Sequence, residues 1–402
     1  MSVTIVIGKN FGDEGKGLAI DYFASRYTQA GCSAVCVRHN GGAQAGHTVD
    51  MPNKRFVFSQ LSSASFRGAD TYWADSFLPD LFKLTDEAER FRSINGNIPR
   101  IFASSKCRCT YIDDVLVNML LETQRGKNRH GSCGMGINEA VVRSAGFPLY
   151  LGDAAGLSAE MLCQKLRIFR REFLPERLAA LHIDLNSAGE YGEMLQNDRV
   201  LSNAAEGICR GAEYIQMKKT DCLKEYGTIL FEGAQGLLLD ERYTRFAPHL
   251  TSSRTGLYEP ARILHEVYGE RPTEKPIEIV YVTRSYVTRH GAGPLPNEDT
   301  SDSINHFDRT NIPNEWQGSL RFALHGSTAE FTEAVQSDLA EAMLPAKVSL
   351  FVTHLNESAG AIITKDGQIP AESYFRQRDI QELFSTVYLS DSPFAEDVRA
   401  LC

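Results

Sequence analysis

The chain alternates short apolar runs with stretches of helical periodicity. Residues 3–7 (Val-Thr-Ile-Val-Ile) form a largely β-branched run of the kind that fills a buried strand. The run breaks at Gly8, and apolar positions return with helical spacing at Leu18, Ile20, Tyr22 and Phe23. Runs at 34–38, 228–231, 277–282, 347–353 and 386–389 predict further buried strands. Residues 75–92 and 112–125 predict amphipathic helices. Leu162, Leu166, Phe169, Phe173 and Leu178 keep helical spacing within a stretch, about 157–218, that holds no catalytic grouping. Repeated strand–glycine loop–helix units predict an α/β fold: a wound, mostly parallel sheet flanked by helices, in one domain with a mostly helical insertion at about 157–218.

Composition removes some functions. The 402 residues are 43% hydrophobic and 23% charged, as in ordinary globular proteins, and the net charge of -9 argues against a duplex nucleic-acid binder. A nucleotide pocket needs only a few local charges and stays open. No apolar run approaches the roughly 20 residues that span a bilayer. The first residues read as a strand rather than a signal peptide, so a cytoplasmic protein without membrane contact is expected. Nine Cys, an odd number scattered over the chain, read as buried reduced thiols, Cys107-x-Cys109 and Cys32-x3-Cys36 included.

The chemistry gathers in the glycine-rich loops that follow the strands. Residues 8–17, Gly-Lys-Asn-Phe-Gly-Asp-Glu-Gly-Lys-Gly, stand between strand and helix, where backbone N–H groups and a helix N-terminus meet an anion. Gly12, Gly15 and Gly17 allow close approach, Lys16 adds a point charge, and Asp13 is the first candidate for a metal-binding oxygen. Gly17 stands where a Walker A loop has its hydroxyl, so the loop is not of that kind. Residues 38–48, Arg-His-Asn-Gly-Gly-Ala-Gln-Ala-Gly-His-Thr, follow the second strand and should lie beside the first loop. There Gly42 offers a carbonyl to a metal, and His47 and Thr48 can meet phosphate or a reacting group. The loop 128–137, with Ser132 and Cys133, has the composition of a phosphate nest. Gln235, in Glu-Gly-Ala-Gln-Gly (232–236), can read a base edge, and the turn 251–256 brings Thr251 as a phosphate contact. Residues 286–296 form a long Gly/Pro-rich loop, and the polar stretch 297–318 has the profile of a mobile functional loop.

Taken in order, Gly12-Asp-Glu-Gly-Lys-Gly, Gly41-Gly-x-x-Ala-Gly-His-Thr, the loop at 131–136, Phe231-Glu-Gly-Ala-Gln-Gly, Thr251-Ser-Ser and Gly291-Ala-Gly-Pro resemble the adenylosuccinate synthetase family along the whole chain. The resemblance implies a P-loop-related fold and an active, magnesium-dependent C–N ligase. Such an enzyme takes a purine nucleoside monophosphate, a nucleoside triphosphate and L-aspartate. It further implies a homodimer. By the same likeness Asp13 is general base and Mg²⁺ ligand, with Gly42 as the second metal contact. Lys16, His47 and Gln235 complete the catalytic set. Gly12, Glu14, Gly15, Gly17, Thr48, Ser132, Cys133 and Thr251 bind nucleotide and phosphate, and Arg143 reaches the nucleotide of the partner subunit.

Departures from the family pattern carry information of their own. The first His of Gly-Gly-His-Asn-Ala-Gly-His-Thr, the family's catalytic acid at O6, is Ala43 here, and His39, His47 or another His folded into the site is the candidate to compensate. The aspartate-binding Thr-Thr-Gly-Arg loop becomes Asn314-Glu-Trp-Gln-Gly-Ser-Leu-Arg-Phe, leaving Arg321 and Gln317 for the amino acid. The guanine-reading Thr-Lys-Leu-Asp becomes Thr353-His-Leu-Asn356, and Asn356 favours ATP or dATP over GTP. These changes resemble a phage branch that makes 2-aminoadenylosuccinate from dGMP. Retained Asp13 points instead to a base without a 2-amino group, so IMP and GMP or dGMP both remain. The lost His and the shortened loop also leave open a nucleotide-binding pseudoenzyme or sensor, or a ligase using another amine.

Overall fold

Alternation within the apolar runs decides the layers. In the computed structural model, Val3, Ile5 and Ile7 pack to one side with Val35, Val37, Ile229, Phe231, Ile279, Tyr281, Leu350 and Val352. Val6, Cys36, Leu230, Val280, Val282 and Phe351 face the other side, against Ile20 and Phe23. A strand buried on both faces has this signature, and it builds a parallel sheet between two helical layers. The structure describes residues 2–185, 188–269, 276–301 and 318–401, together with 304, 311, 313 and 316.

The main sheet has ten strands: β1 (Ser2–Gly8), β2 (Ala34–Arg38), β3 (Asp70–Trp73), β4 (Ile101–Ala103), β5 (Ile215–Met217), β6 (Thr228–Glu232), β7 (Ile277–Arg284), β8 (Lys347–Thr353), β9 (Thr386–Leu389) and β10 (Arg399–Leu401). Their order is β10-β9-β8-β7-β1-β6-β2-β3-β4-β5, with β10 antiparallel to β9 and every other pairing parallel. The central strand is therefore the N-terminal one, and the glycine loops after β1, β2, β6 and β7 open on one edge of the sheet.

The long apolar runs are strands close to the expected bounds, and helix Ile112–Arg125 coincides with its prediction. The helix expected at 75–92 is Leu81–Asn95 instead. Pro79 disfavours helix before it, and Asp80 caps the N-terminus by accepting from Lys83 N at 3.2 Å. The stretch 157–218 is mostly helical (Ala159–Glu172, Leu174–Ala180, Gly189–Gln196, Asp198–Ala212) but ends in β5. These helices thus belong to the connection from β4 to β5. Leu162, Leu166, Phe169, Leu201 and Ile208 pack there with Leu81, Leu84 and Phe91. The loop 38–48 ends in a strand, His47–Met51, which pairs with Lys54–Phe58. The 286–296 stretch is likewise not all loop, since Val287–Arg289 pairs with Arg321–Ala323. No helix among the described residues is long and apolar enough to cross a membrane.

Candidate active site

The loop after β1 is tied down by its carbonyls. Thr288 Oγ1 donates to Gly12 O at 3.2 Å, Arg284 Nε to Asp13 O at 2.5 Å and Thr353 Oγ1 to Glu14 O at 2.9 Å. With the carbonyls held from β7, β8 and the short strand Val287–Arg289, the first N–H groups of helix α1 (Lys16–Gln29), which have no helical partner, are left for an anion. Gly12 and Gly15 adopt φ of +92° and +89°, and Asp13 between them +58°. Gln235, on the facing loop, has φ +65°. Side chains held in the left-handed region are uncommon and cluster at functional positions.

A methyl group added at Gly8 would stand 2.4 Å from Gln235 O, 2.5 Å from Glu14 Oε2 and 3.0 Å from Lys16 Nζ. The Glu14 and Lys16 side chains and the Gln235 backbone carbonyl thus converge on one point. Gly17 brings the second motif against the first, since a Cβ there would meet Thr48 O at 2.6 Å and the His47 carbonyl carbon at 3.2 Å. Asn40 locks the third loop alongside: Nδ2 donates to Ala234 O at 3.0 Å, and Ala234 N donates to Asn40 Oδ1 at 2.8 Å. Gly41 N donates to Ser253 Oγ at 3.2 Å, which draws the 251–256 turn to the same edge. Ser252 Oγ then donates to Asn138 Oδ1 at 2.6 Å, beside the 128–137 loop.

Charge is concentrated where water is scarce. Burial lowers the Lys16 ammonium, against the pull of Glu14, Asp13 and Glu232. Burial pushes Glu14 up to about 7, opposed chiefly by Lys16, and leaves its Oε2 without a partner. Lys9, buried beside the Phe331 ring and donating to Asn10 Oδ1 at 3.1 Å, is brought down to about 7 by burial, with Glu14 opposing. This is a pocket with surplus hydrogen-bonding capacity, suited to a charged ligand that replaces water.

His47 Nδ1 lies 2.6 Å from Glu232 Oε1, and both side chains are buried. Burial would raise the Glu232 carboxyl, but His47, Arg38 and the donors around it bring it down to about 2. For His47 the order reverses: burial lowers the imidazole and Glu232 works against it. The pair is therefore a carboxylate accepting from a neutral imidazole, with the His47 Nε2 lone pair turned away from it. Glu232 stands in Phe231-Glu-Gly-Ala-Gln-Gly, where nothing local gives it a role; the fold sets it on His47 Nδ1. His39 is fully buried, neither ring nitrogen has a partner, and burial, then Arg38, lowers it to about 3. His290 is a further residue that sequence reasoning passed over: its Nε2 lies 3.9 Å from Asp13 Oδ2.

Several expected residues sit elsewhere. Arg143 is fully buried, its Nε and Nη2 on the Asp114 carboxylate at 2.8 Å each, Nη2 also on Cys109 O and Nη1 on Phe147 O. Its guanidinium is thus engaged within its own chain, and the rings of Tyr111 and Phe169 pack on it. Arg143→Met is accordingly expected to lower stability by about 3–5 kcal/mol, because Asp114 is left buried and unpaired. Urea unfolding measures this; a loss under about 1 kcal/mol would return Arg143 to the list of ligand contacts.

Arg321 is also engaged. Nε and Nη2 pair with Glu298 at 2.7 and 2.6 Å, and Nη1 donates to Gly291 O and Gly293 O. A substrate carboxylate would have to displace Glu298. Ser132 donates to Asn118 Oδ1 at 2.8 Å and accepts from Gly134 N at 3.3 Å, so its hydroxyl faces its own scaffold. Cys133 is half-buried, and burial raises its thiol. Thr251 is half-buried, with N on Leu239 O at 2.9 Å. Asn356 is exposed on the turn Leu355–Ser358 that follows β8, three residues beyond Thr353, whose hydroxyl donates to the Glu14 carbonyl. Gln317 and most of 302–317 lie outside the described residues.

The donor set suits a hard cation. The Asp13 carboxylate and the Gly42 carbonyl are oxygen ligands of the kind Mg²⁺ takes, and no group of three or more His, Cys, Asp or Glu among the described residues could hold a metal ion. An ion completed by waters and substrate phosphates needs no such cage.

The sequence matches the adenylosuccinate synthetase family profile over residues 5–315. Adenylosuccinate synthetase of Thermoplasma volcanium is 30% identical over 306 residues, 74% of this chain and 64% of that protein. The enzyme of Aspergillus niger is 30% identical over 314 residues, 75% of this chain and 66% of its own. The match thus spans just under two thirds of these relatives' lengths. Among solved structures, fully ligated adenylosuccinate synthetase from Plasmodium falciparum superposes with a TM-score of 0.69 at 15% identity, over 99% of both chains. Succinoaminodeoxyadenylate synthetase of cyanophage S-2L, bound to dGMP and to dATP as an energy donor, gives 0.62 at 14% identity, over 99% of this chain and 95% of its own. At these identities the likeness is one of fold.

Proposed function

Since the chain belongs to the adenylosuccinate synthetase family, we propose that it is a cytoplasmic purine nucleotide ligase. It phosphorylates O6 of a 6-oxopurine nucleoside monophosphate (IMP, or GMP or dGMP) and displaces that phosphate with the amine of L-aspartate. The observation that carries this is the gathering of Glu14, Asp13 and Glu232 around the buried Lys16, with the Gln235 carbonyl beside it and His47 on Glu232, at the carboxyl ends of β1, β2 and β6.

In this reading the Asp13 carboxylate takes the N1 proton, which places the developing negative charge on O6. O6 attacks the γ-phosphorus, the bond from that phosphorus to the bridging oxygen breaks and the nucleoside diphosphate leaves with the bonding pair, while Lys16 and the N-terminus of α1 neutralise the phosphates. His47, fixed by Glu232, and Gln235 hold the transferring group and O6. The neutral amine then adds at C6, the phosphate leaves with the C–O bonding pair, and the nitrogen gives up one proton to the departing phosphate. Mg²⁺ held by Asp13, Gly42 and phosphate oxygens would supply further charge neutralisation. The homodimer rests on the family resemblance, without Arg143. The Arg321–Glu298 pair favours a second reading in which the amine is not a dicarboxylate.

Phosphate release tests the reaction, with ATP, dATP and GTP crossed against IMP, GMP and dGMP and a panel of amino acids that includes L-aspartate. Release that requires all three substrates is the expected result, and no release in any combination would sink the ligase. Asn can donate to an adenine ring nitrogen while accepting from its 6-amino group. ATP or dATP is therefore expected to exceed GTP by at least about tenfold in kcat/KM, roughly 1.4 kcal/mol. Asn356→Asp should move the preference toward guanine; a clear preference of the unmodified protein for GTP would mean that Asn356 does not face the base.

A further inference from the structure

We infer that Tyr286 is a positioning residue for the reaction: its hydroxyl joins the turn Leu355–Ser358 to the Arg284 guanidinium that holds the Asp13 backbone, and so aims the Asp13 carboxylate. This rests on the proposed roles of Asp13 as base and of the turn as the seat of the triphosphate's base.

The Asp13 backbone sits in the left-handed region, at φ +58° beside Gly12 at +92°, and such a conformation persists only where its surroundings hold it. The peptide planes on either side of its Cα decide where the side chain points. Thr288 Oγ1, on the strand Val287–Arg289, holds the first by donating to Gly12 O at 3.2 Å. Arg284 Nε holds the second by donating to Asp13 O at 2.5 Å. The first anchor is a short hydroxyl on a paired strand. The second is the end of a long side chain with several torsions, so its grip on Asp13 depends on what fixes the guanidinium.

Tyr286 supplies that fixing. Arg284 Nη1 donates to its hydroxyl at 3.2 Å, and the hydroxyl donates to Glu357 Oε2. Arg284 is 3% exposed and Tyr286 1%, so these contacts are shielded from water. Burial raises the phenol, against the pull of Arg284, and the hydroxyl keeps its proton, serving as donor and acceptor together. The Tyr286 ring packs near Phe322, 5.7 Å between centroids, and near His354, at 6.3 Å. Ser285 fastens the same segment to the end of β8: its N donates to Thr353 O and its Oγ to His354 O, both at 3.0 Å. Residues 284–286 therefore run from the Asp13 carbonyl to the turn, where Glu357 is next to Asn356 in the chain. Phenylalanine at 286 would fill the same volume and take this acceptor from Arg284 Nη1. The plane that Arg284 holds is then less constrained, and misplacing a reacting group by about 1 Å can cost about 10²-fold.

A double-mutant cycle on phosphate release tests this, with the monophosphate and triphosphate that turn over fastest in the substrate panel. Tyr286→Phe should lower kcat by about tenfold, with the KM for the monophosphate changed less than about threefold. Glu357→Leu should match it, and Glu357→Gln, which keeps an acceptor for the hydroxyl, should recover most of the rate. In the Asp13→Asn background Tyr286→Phe should cost less than about twofold more, because a disabled base has no aim left to lose. Thermal melts confirm that each variant is folded. Multiplicative losses in the cycle would overturn the inference, as would a Tyr286→Phe variant that loses stability but not rate. The two readings fail differently. A slow Asp13→Asn protein with multiplicative losses removes the positioning role alone, whereas an Asp13→Asn protein with normal turnover, or no phosphate release at all, removes the base and Tyr286 with it.

Discussion

Asp13→Asn is expected to lower phosphoryl transfer by about 10²–10⁴, the range of a lost general base, with the fold intact. The substitution is close to isosteric, and Asn is among the few residues that tolerate the left-handed backbone at φ +58°. The anchor of this residue is its carbonyl, which accepts from Arg284, so the loop keeps its shape when the side chain loses its charge. An amide in place of the carboxylate can neither take the N1 proton nor hold a divalent cation well. Rapid-quench phosphate release at saturating substrates reads the effect, and a thermal melt controls for folding. Turnover within a few-fold of the unmodified protein would eliminate Asp13 as base.

Why Asp13 and Lys16 were legible, and His47–Glu232 was not, follows from sequence distance. The first two lie within one glycine-punctuated turn, where residue type and spacing state the chemistry. The His47–Glu232 pair joins residues 185 positions apart, and nothing local in Glu-Gly-Ala-Gln-Gly says what its first residue touches. His290 hides for the same reason, as its place near Asp13 comes from β7 lying next to β1 in the sheet. Strands with long apolar runs were readable; β3, β4, β5 and β10, three or four residues each, are too short for period-two alternation to register. For Arg143 and Arg321 a motif position fixes a residue type but not its partner, and in the fold Asp114 and Glu298 pair with them. The family match ends at residue 315, yet the fold match runs over 99% of the chain. The turn that carries Asn356 is thus placed by topology, just after the strand whose Thr353 donates to the Glu14 carbonyl, more than by sequence likeness.

Glu232→Gln is expected to damage both stability and rate, and the carboxylate's surroundings say why. Every partner of this buried group is a donor: His47 Nδ1 at 2.6 Å and Ser63 Oγ on Oε1, Ser63 N at 3.0 Å and Cys36 Sγ at 3.7 Å on Oε2. An amide NH₂ in either place faces donors, and the nearby Arg38, whose Nε and Nη2 have no partner, loses its counter-charge. Breaking a buried pair in this way costs about 3–5 kcal/mol. The pH dependence gives a second reading. The Glu232 carboxyl falls from 4.5 to about 2 on folding, so its contribution is fully present above pH 4.5 and is lost as pH falls through 2. The acid limb of the stability curve should therefore flatten between those values in the variant. The rate should fall by about 10–100-fold, as when an outer partner that orients a reactive imidazole is lost. Urea unfolding across pH 2–7, paired with phosphate release at neutral pH, measures both. A variant as stable as the parent, with the same acid limb, would show that the His47–Glu232 contact does not hold the site together.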